Sequence, residues 1–323
     1  MDIKVIKFGG EAMSTPTNQV NISKIIKKTG TKTIVVCSAM GKYGFPYSTD
    51  NLKILVEENY VSTKEIARLL SCGETISSIR LSYILNKEGI KAYALSLNEL
   101  GFICNDNYLD AKIIDQNVEK LNELLESYDC LICPGFIGLN NENEVVTLGS
   151  NGSDYTAVSI AKHLEIKEVI LYKNVNGIFH TPPNVYKQTP LHKNLSYDEM
   201  LALNDIGFNI VMKKAVEEAK ESNIKIIVKS YANESDDCTI ISSDSSNQII
   251  LGYNVLDREV KIATFYPCLV KEILEKEFAF KHIFVENDYL SDNLYSFCIS
   301  KSVNNIVKMI INKQICHPNN KKI

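Results

Sequence analysis

Residues 147–177 read TLGSNGSDYTAVSIAKHLEIKEVILYKNVNG. Gly149-Ser150-Asn151-Gly152-Ser153 is a tight polar turn, followed by an expected helix from about Asp154 to Leu164, a buried strand near Val169 to Tyr172 and a second polar turn ending at Gly177. Glycines in the first turn let the backbone adopt φ > 0 and approach a bound group closely. The first N–H groups of the helix have no intrahelical partner and can hold an anion. Asp154 stands where that helix begins. It is either a cap that complements the helix dipole or a functional carboxylate, and this stretch alone leaves both open.

Working outward, the 323 residues suffice for about two domains, and 45% hydrophobic with 23% charged residues is ordinary globular composition. The net charge of -4, with lysines scattered among acids, argues against a nucleic-acid partner. No stretch approaches the roughly 20 apolar residues of a membrane span, and MDIKVIKFGG is not a secretion signal. A cytoplasmic protein with no membrane partner is expected. Nine cysteines run from Cys37 to Cys316, mostly in apolar runs, where cysteine acts as a small hydrophobe. Cys130 and Cys133, three apart on an expected strand, point to opposite faces and form neither a redox motif nor half a zinc site.

Upstream, Lys4 to Phe8 is a β-rich run closed by Gly9-Gly10, then comes an amphipathic helix from about Thr17 to Lys28 and a second β run, Thr33 to Ser38. Strand, glycine turn, helix, strand begins a parallel α/β sheet. Lys7 precedes the paired glycines, so its ammonium either reaches a phosphate over the turn or is a solvated edge lysine. Neither GxxxxGK[ST] nor a strand-linked GxGxxG occurs, which argues against a P-loop and a dinucleotide site. The loop from Ser38 to Asp50 follows the second strand at its carboxyl end, where open α/β sheets place ligands. Helical periodicity runs from about Thr63 to Glu88 with an expected interruption at Cys72-Gly73-Glu74. Glu74 meets a substrate ammonium or starts a helix. A strand is expected at Ala92 to Leu97, a helix at Leu109 to Ser127, a strand at Cys130 to Phe136, and a hairpin from Ile137 to Val146. Beyond Gly177 come a proline-broken segment, helices near Tyr197 to Asn204 and Ile210 to Ser222, and a strand at Ile224 to Val228.

Lys7-Phe8-Gly9-Gly10, Cys37-Ser38-Ala39-Met40-Gly41, Ser71-Cys72-Gly73-Glu74, Pro134-Gly135-Phe136-Ile137-Gly138, Thr147-Leu148-Gly149, Gly152-Ser153-Asp154-Tyr155-Thr156-Ala157, Val175-Asn176-Gly177-Ile178 and Leu195-Ser196-Tyr197-Asp198-Glu199 stand in a fixed order. That ordered set resembles the aspartate kinases of the amino-acid kinase superfamily, from the N-terminus to about Ser230. The resemblance implies an α/β fold, a three-layer αβα sandwich, over 1–230. It implies transfer of the γ-phosphoryl of ATP to the β-carboxylate of L-aspartate, giving 4-phospho-L-aspartate for lysine, threonine and methionine synthesis. By the same resemblance Lys7 and Asp154 are catalytic. Lys7, Gly9, Gly10, Ser38, Gly149, Gly152, Lys173, Asn174 and Phe179 hold the nucleotide. Glu74 takes the substrate ammonium, with Thr49, Phe136 and Ser153 shaping its pocket. ATP and Mg2+ are the implied cofactors, the metal held largely by the phosphates without a dedicated protein site.

Departures from the family pattern fall on both ligands. Ser150-Asn151 replace arginine and glycine, and serine makes no bidentate charged contact; an unreplaced loss costs about 1.5–3 kcal/mol. Lys173-Asn174 replace threonine and aspartate, Lys173 either putting a new cation near ATP or pointing into solvent; Phe179 replaces a tyrosine, and Asn209 a lysine, for which Lys213, one helical turn on, is a candidate substitute. Two hypotheses follow: a kinase for aspartate or another carboxylic acid, and a catalytically weak paralogue that binds without turnover.

Past Ser230, polar linkers Asn233 to Asp237 and Ser242 to Asn247 flank Cys238 to Ile241. Strands at Ile249 to Tyr253, Val260 to Phe265, His282 to Glu286 and Tyr295 to Ile299, with helices at Cys268 to Glu277 and Val303 to Lys313, resemble one ACT domain over 231–323. Phe265-Tyr266-Pro267-Cys268 stands in place of its glycine-rich ligand loop. A homodimerisation module without effector binding is expected, the alternative being a single regulatory domain.

Overall fold

The computed structural model describes residues 2–232 and 235–316; Asn233 and Glu234 of the expected linker lie outside the described residues. In chain order the elements are β1 (Ile3–Phe8), α1 (Gly10–Met13), α2 (Pro16–Thr29), β2 (Lys32–Cys37), α3 (Thr49–Lys53), α4 (Thr63–Lys87), β3 (Ala92–Ala94), α5 (Leu97–Leu100), β4 (Phe102–Cys104) and β5 (Ile113–Gln116). Next come α6 (Glu119–Ser127), β6 (Cys130–Pro134), β7 (Ile137–Asn140), β8 (Val145–Thr147), α7 (Gly152–His163), β9 (Glu168–Lys173), β10 (Asn194–Ser196), α8 (Tyr197–Asp205) and α9 (Lys213–Ser222). The chain continues with β11 (Lys225–Ser230), β12 (Cys238–Ser242), β13 (Gly252–Leu256), β14 (Glu259–Ala263), α10 (Pro267–Phe280), β15 (Glu286–Ser291), β16 (Leu294–Cys298) and α11 (Asn304–Cys316). They form two compact units, Met1–Asn176 with Lys214–Ile240 and Gly177–Lys213 with Ile241–Ile323.

The first unit is built on a sheet in the order β12-β11-β9-β1-β2-β6-β3, with β1 parallel to both β2 and β9. Its strands are continuous apolar runs because both faces are covered. On one face Ile6, Phe8, Val35, Cys37, Cys130, Ile132 and Tyr172 pack against Met13, Ile22, Ile26, Leu81 and Leu85 of α1, α2 and α4. The opposite face carries α7, which packs on β1, β2 and β9. These are the three layers of an αβα sandwich. Local chemistry agrees: Thr15 caps α2 through Asn18 N–H, Pro16 opens it, and Gly30, in the left-handed region at φ 64°, ends it. Cys130 lies in the core of the first face, and Cys133, odd in register from it, serves the other.

Two expectations for this unit are corrected. α4 runs unbroken through Gly73, because the glycine answers a tertiary need: a Cβ there would stand 2.7 Å from the Tyr47 carbonyl oxygen and 2.9 Å from Ala39 Cβ. Gly73→Ala is therefore expected to destabilise by about 1–3 kcal/mol, measured by urea unfolding; an unchanged midpoint would deny the close approach. The expected helix at Leu109 to Ser127 is instead strand β5 followed by α6, and β5 joins a second sheet in the order β5-β4-β7-β8. The hairpin β7–β8 pairs Ile137 with Thr147 as expected.

In the second unit, Ser196 caps α8 in a reciprocal capping box with Glu199. The buried Glu199 carboxylate also accepts from Ser245 Oγ and from Ser246 N–H and Oγ, so the polar stretch expected to be a linker is pinned. β13-β14-β16-β15 form an antiparallel sheet, and α10 and α11 share its core through Val270, Leu274, Phe278, Val307 and Ile311. The third of its strands lies at Glu286–Ser291, beyond the expected 282–286. α9 begins at Lys213, so Asn209 and Lys213 do not share a helical face, and Lys213 Nζ sits 2.7 Å from Asp205.

Candidate active site

Lys7 is the penultimate residue of β1, opposite Val36 on β2 and Leu171 on β9. Its side chain leaves the sheet on the face covered by α7. Asp154, in the first turn of α7, is wholly buried. Lys7 Nζ donates to Asp154 Oδ1 at 2.7 Å, and Lys173 Nζ, at the end of β9, donates to Oδ1 and Oδ2 at 2.9 and 2.8 Å. Residues 147 apart in sequence thus meet at the carboxyl ends of adjacent strands. Burial pushes the Asp154 carboxyl up, but the two ammoniums outweigh it and hold the group below the usual carboxylate range.

Glycines let the chain pack closely around this cluster. Gly10 lies so close to the loop after β2 that a Cβ would stand 2.5 Å from the Ala39 carbonyl oxygen, and its own carbonyl accepts from Gly41 N–H at 2.8 Å. Gly149 adopts φ 86° and accepts from Gly152 N–H, while Asn151 takes φ 61° to start α7. At Gly152 a Cβ would meet Leu148 Cβ at 2.8 Å.

Ser38 Oγ and Ser153 Oγ lie 2.7 Å apart, joining the end of β2 to the first turn of α7. Next to them Ala39 N–H donates to Glu74 Oε1 at 3.1 Å. Among the described residues, the buried Glu74 Oε2 has no hydrogen-bond partner. Burial pushes the Glu74 carboxyl up to about 8, against the lowering by Ala39 N–H. Phe136 holds φ 67°, an uncommon state for a bulky residue, and packs with Leu52 of α3 and Ile66 and Leu70 of α4. Thr49 is the first residue of that same α3, which Ser48 caps.

Of the expected site residues, Lys7, Gly10, Ser38, Glu74, Phe136, Gly149, Gly152, Ser153, Asp154 and Lys173 take part in these contacts, and Gly9 follows β1 two residues after Lys7. Asn174 donates to Glu11 Oε2 at 3.0 Å. Phe179 belongs to the second unit, where it bridges to Leu191. Two further residues are assigned no role from the sequence. Ser77, one turn after Glu74, donates to the Ser38 carbonyl at 2.7 Å, and Thr156 Oγ1 accepts from Phe136 N–H at 3.0 Å. Their helical spacing from Glu74 and Gly152 is the signal that could have found them.

A raised carboxyl gives a signed pH dependence. Glu74 holds its proton in the folded state from its ordinary 4.5 up to about 8, so its contribution to stability is full below 4.5 and is lost as pH rises through 8. The buried His180 and His192, pulled down to about 2 and about 4 by burial, act oppositely below pH 6.5. The difference between wild type and Glu74→Gln isolates the carboxyl. Wild-type stability, read by urea unfolding, is expected to fall relative to the variant by at most about 1.4 kcal/mol per pH unit between pH 5 and 8. Parallel curves would mean that Glu74 titrates normally.

The sequence profile of the amino acid kinase family matches residues 2–230. Aspartokinase 1 of Bacillus subtilis is 33% identical over 264 residues, covering 80% of this chain and 64% of that protein. An aspartokinase of Helicobacter pylori is 31% identical over 244 residues, 74% of this chain and 59% of its own length. The chain thus spans less than two thirds of the length of these relatives. Among solved structures, Escherichia coli aspartokinase III in complex with aspartate and ADP superposes with a TM-score of 0.69 at 19% identity, over 93% of this chain and 79% of that one. A UMP kinase from Bacillus anthracis reaches 0.56 at 17% identity, over 75% of this chain and 96% of that one.

Proposed function

Because this chain belongs to the amino acid kinase family, we propose that it transfers the γ-phosphoryl of ATP to the β-carboxylate of L-aspartate, yielding 4-phospho-L-aspartate. The observation that carries this is the Lys7–Asp154–Lys173 cluster beside two glycine turns. The task is to bring two anions together, so fixed positive charge and close N–H donors must meet the migrating group. The relatives named aspartokinase and the fold-mate solved with aspartate and ADP support aspartate as acceptor.

In this reading Gly9, Gly10, Ser38, Gly149 and Gly152 line the triphosphate, with Asn174 toward the nucleoside. Glu74 turns its unpartnered oxygen to the substrate ammonium, and Thr49, Phe136 and Ser153 bound the pocket. Both Asp154 oxygens are taken by lysines, and among the described residues no group of three or more His, Cys, Asp or Glu could hold a metal. In this reading Mg2+ is carried on the phosphates of ATP, where it neutralises charge. Residues 1–230 form the catalytic region, and 231–323 a linker and an ACT-like module that pairs two copies of the chain. No helix among the described residues is long and apolar enough to cross a membrane, and we place the enzyme in the cytoplasm, in the synthesis of lysine, threonine and methionine.

Incubating the purified chain with Mg-ATP, L-aspartate and hydroxylamine tests the proposal. Aspartyl hydroxamate is expected in proportion to ADP. Hydroxamate from another acid and none from aspartate would change the substrate; nucleotide binding with no product from any acid would leave a non-catalytic relative.

A further inference from the structure

Strand β9 ends on Lys173, and the register makes that position informative. Lys7 lies opposite Leu171 across the β1–β9 pairing, so Lys173, two residues further, leaves the same face of the sheet. It grips both oxygens of Asp154 while Lys7 takes one. One carboxylate neutralises one ammonium. Here a wholly buried Asp154 faces two, and an unmatched buried charge is costly. A closed ion pair needs only one lysine, whereas an anion arriving at the strand ends would meet a second cation already oriented. The side chains of Lys173 and Lys7 are 15% and 5% exposed. At Gly9, beside them, a Cβ would come no nearer than 3.9 Å to Lys7 Nζ, so the turn does not crowd the ammonium.

We propose that Lys173 is a catalytic residue of this chain, its ammonium meeting the γ-phosphoryl group in transfer while Asp154 sets its spacing from Lys7. The proposal rests on the phosphoryl-transfer reading above. An acceptor carboxylate oxygen bonds to the γ-phosphorus as the bond from that phosphorus to the bridging β–γ oxygen breaks, and the electron pair leaves with the nucleoside diphosphate. No proton is exchanged. Lys173 stays charged throughout and stabilises the negative charge on the equatorial oxygens.

The groups facing Lys173 are Asp154 from α7 and Lys7 from β1; its partner on β11 is the uncharged Ser230. Burial, with repulsion from Lys7, brings the Lys173 ammonium down to about 8 against the pull of Asp154. The catalytic cation is thus present below pH 8 and lost above it.

The test uses the full chain with Mg-ATP and L-aspartate. Lys173→Met is expected to lower kcat about 100-fold with KM for ATP within about three-fold, the mark of a contact made in the transition state. Wild-type kcat/KM should fall on the alkaline side with a midpoint near pH 8. Lys173→Arg should restore about a tenth of the activity and abolish that limb, because a guanidinium stays charged. A Met variant within three-fold of wild type, or an Arg variant that keeps the limb, overturns the proposal. If the Met variant does not fold, the wild-type and Arg profiles decide. A wild type that turns over no acid brings down the phosphoryl-transfer reading and this proposal together; an active wild type with an indifferent Lys173 brings down this proposal alone.

Discussion

Asp154→Asn is expected to cut kcat by about 1,000-fold, near the upper end of what one preorganised electrostatic group supplies. The carboxylate lies between the ammoniums of Lys7 and Lys173 and accepts from both. An amide of the same shape keeps the packing of α7 but presents an NH2 to one of the ammoniums. The two cations then repel each other and lose the spacing that would let both meet one phosphoryl group. Circular dichroism should show an intact fold, with a lower Tm because two buried lysines have lost their counter-ion. Lys7→Ala should act in the same direction. Activity within a few-fold of wild type, in a folded Asp154→Asn protein, would mean that the catalytic site lies elsewhere.

Gly10→Ala is the second large effect. Its Cβ would meet the Ala39 oxygen at 2.5 Å and the Gly41 oxygen at 2.6 Å. Both are backbone atoms, so the contact cannot be relieved by a rotamer change. Either α1 or the loop after β2 must move, and that loop carries Ala39 N–H, the donor to Glu74. A loss of about 1–3 kcal/mol in stability and about 100-fold in kcat/KM is expected, the latter from an ångström-scale misplacement. Urea unfolding and steady-state kinetics measure the two. A variant with wild-type values for both would show that the turn tolerates a side chain and cradles nothing.

Much of the site was legible because its chemistry sits at the ends of elements with strong local signals. Lys7 before paired glycines and Asp154 after a glycine-rich turn are visible as candidates once β1 and α7 are read from apolar period and turn residues, whereas Lys173, one residue past the strand expected at Val169 to Tyr172, is marked only through the family resemblance. The less visible features depend on distant partners. Gly73 looks like a helix break and is instead a point where Tyr47 and Ala39 press on α4. β5 is four residues long, too short for alternation to distinguish it from the helical period expected there. Thr156 acts through the backbone of Phe136, twenty residues away, and nothing local marks that residue for φ 67°. The grouping of 177–213 with the C-terminal residues is discontinuous in sequence, so no shift in composition announces it.

The central claim is that Lys7, Lys173 and the two glycine turns converge on one triphosphate tail. A crystal structure of the chain with a non-hydrolysable ATP analogue and Mg2+ tests it most directly. The γ-phosphate oxygens are expected within about 3 Å of both Lys7 Nζ and Lys173 Nζ, with Asp154 between the two ammoniums. An analogue bound with its γ-phosphate away from both lysines would contradict the claim.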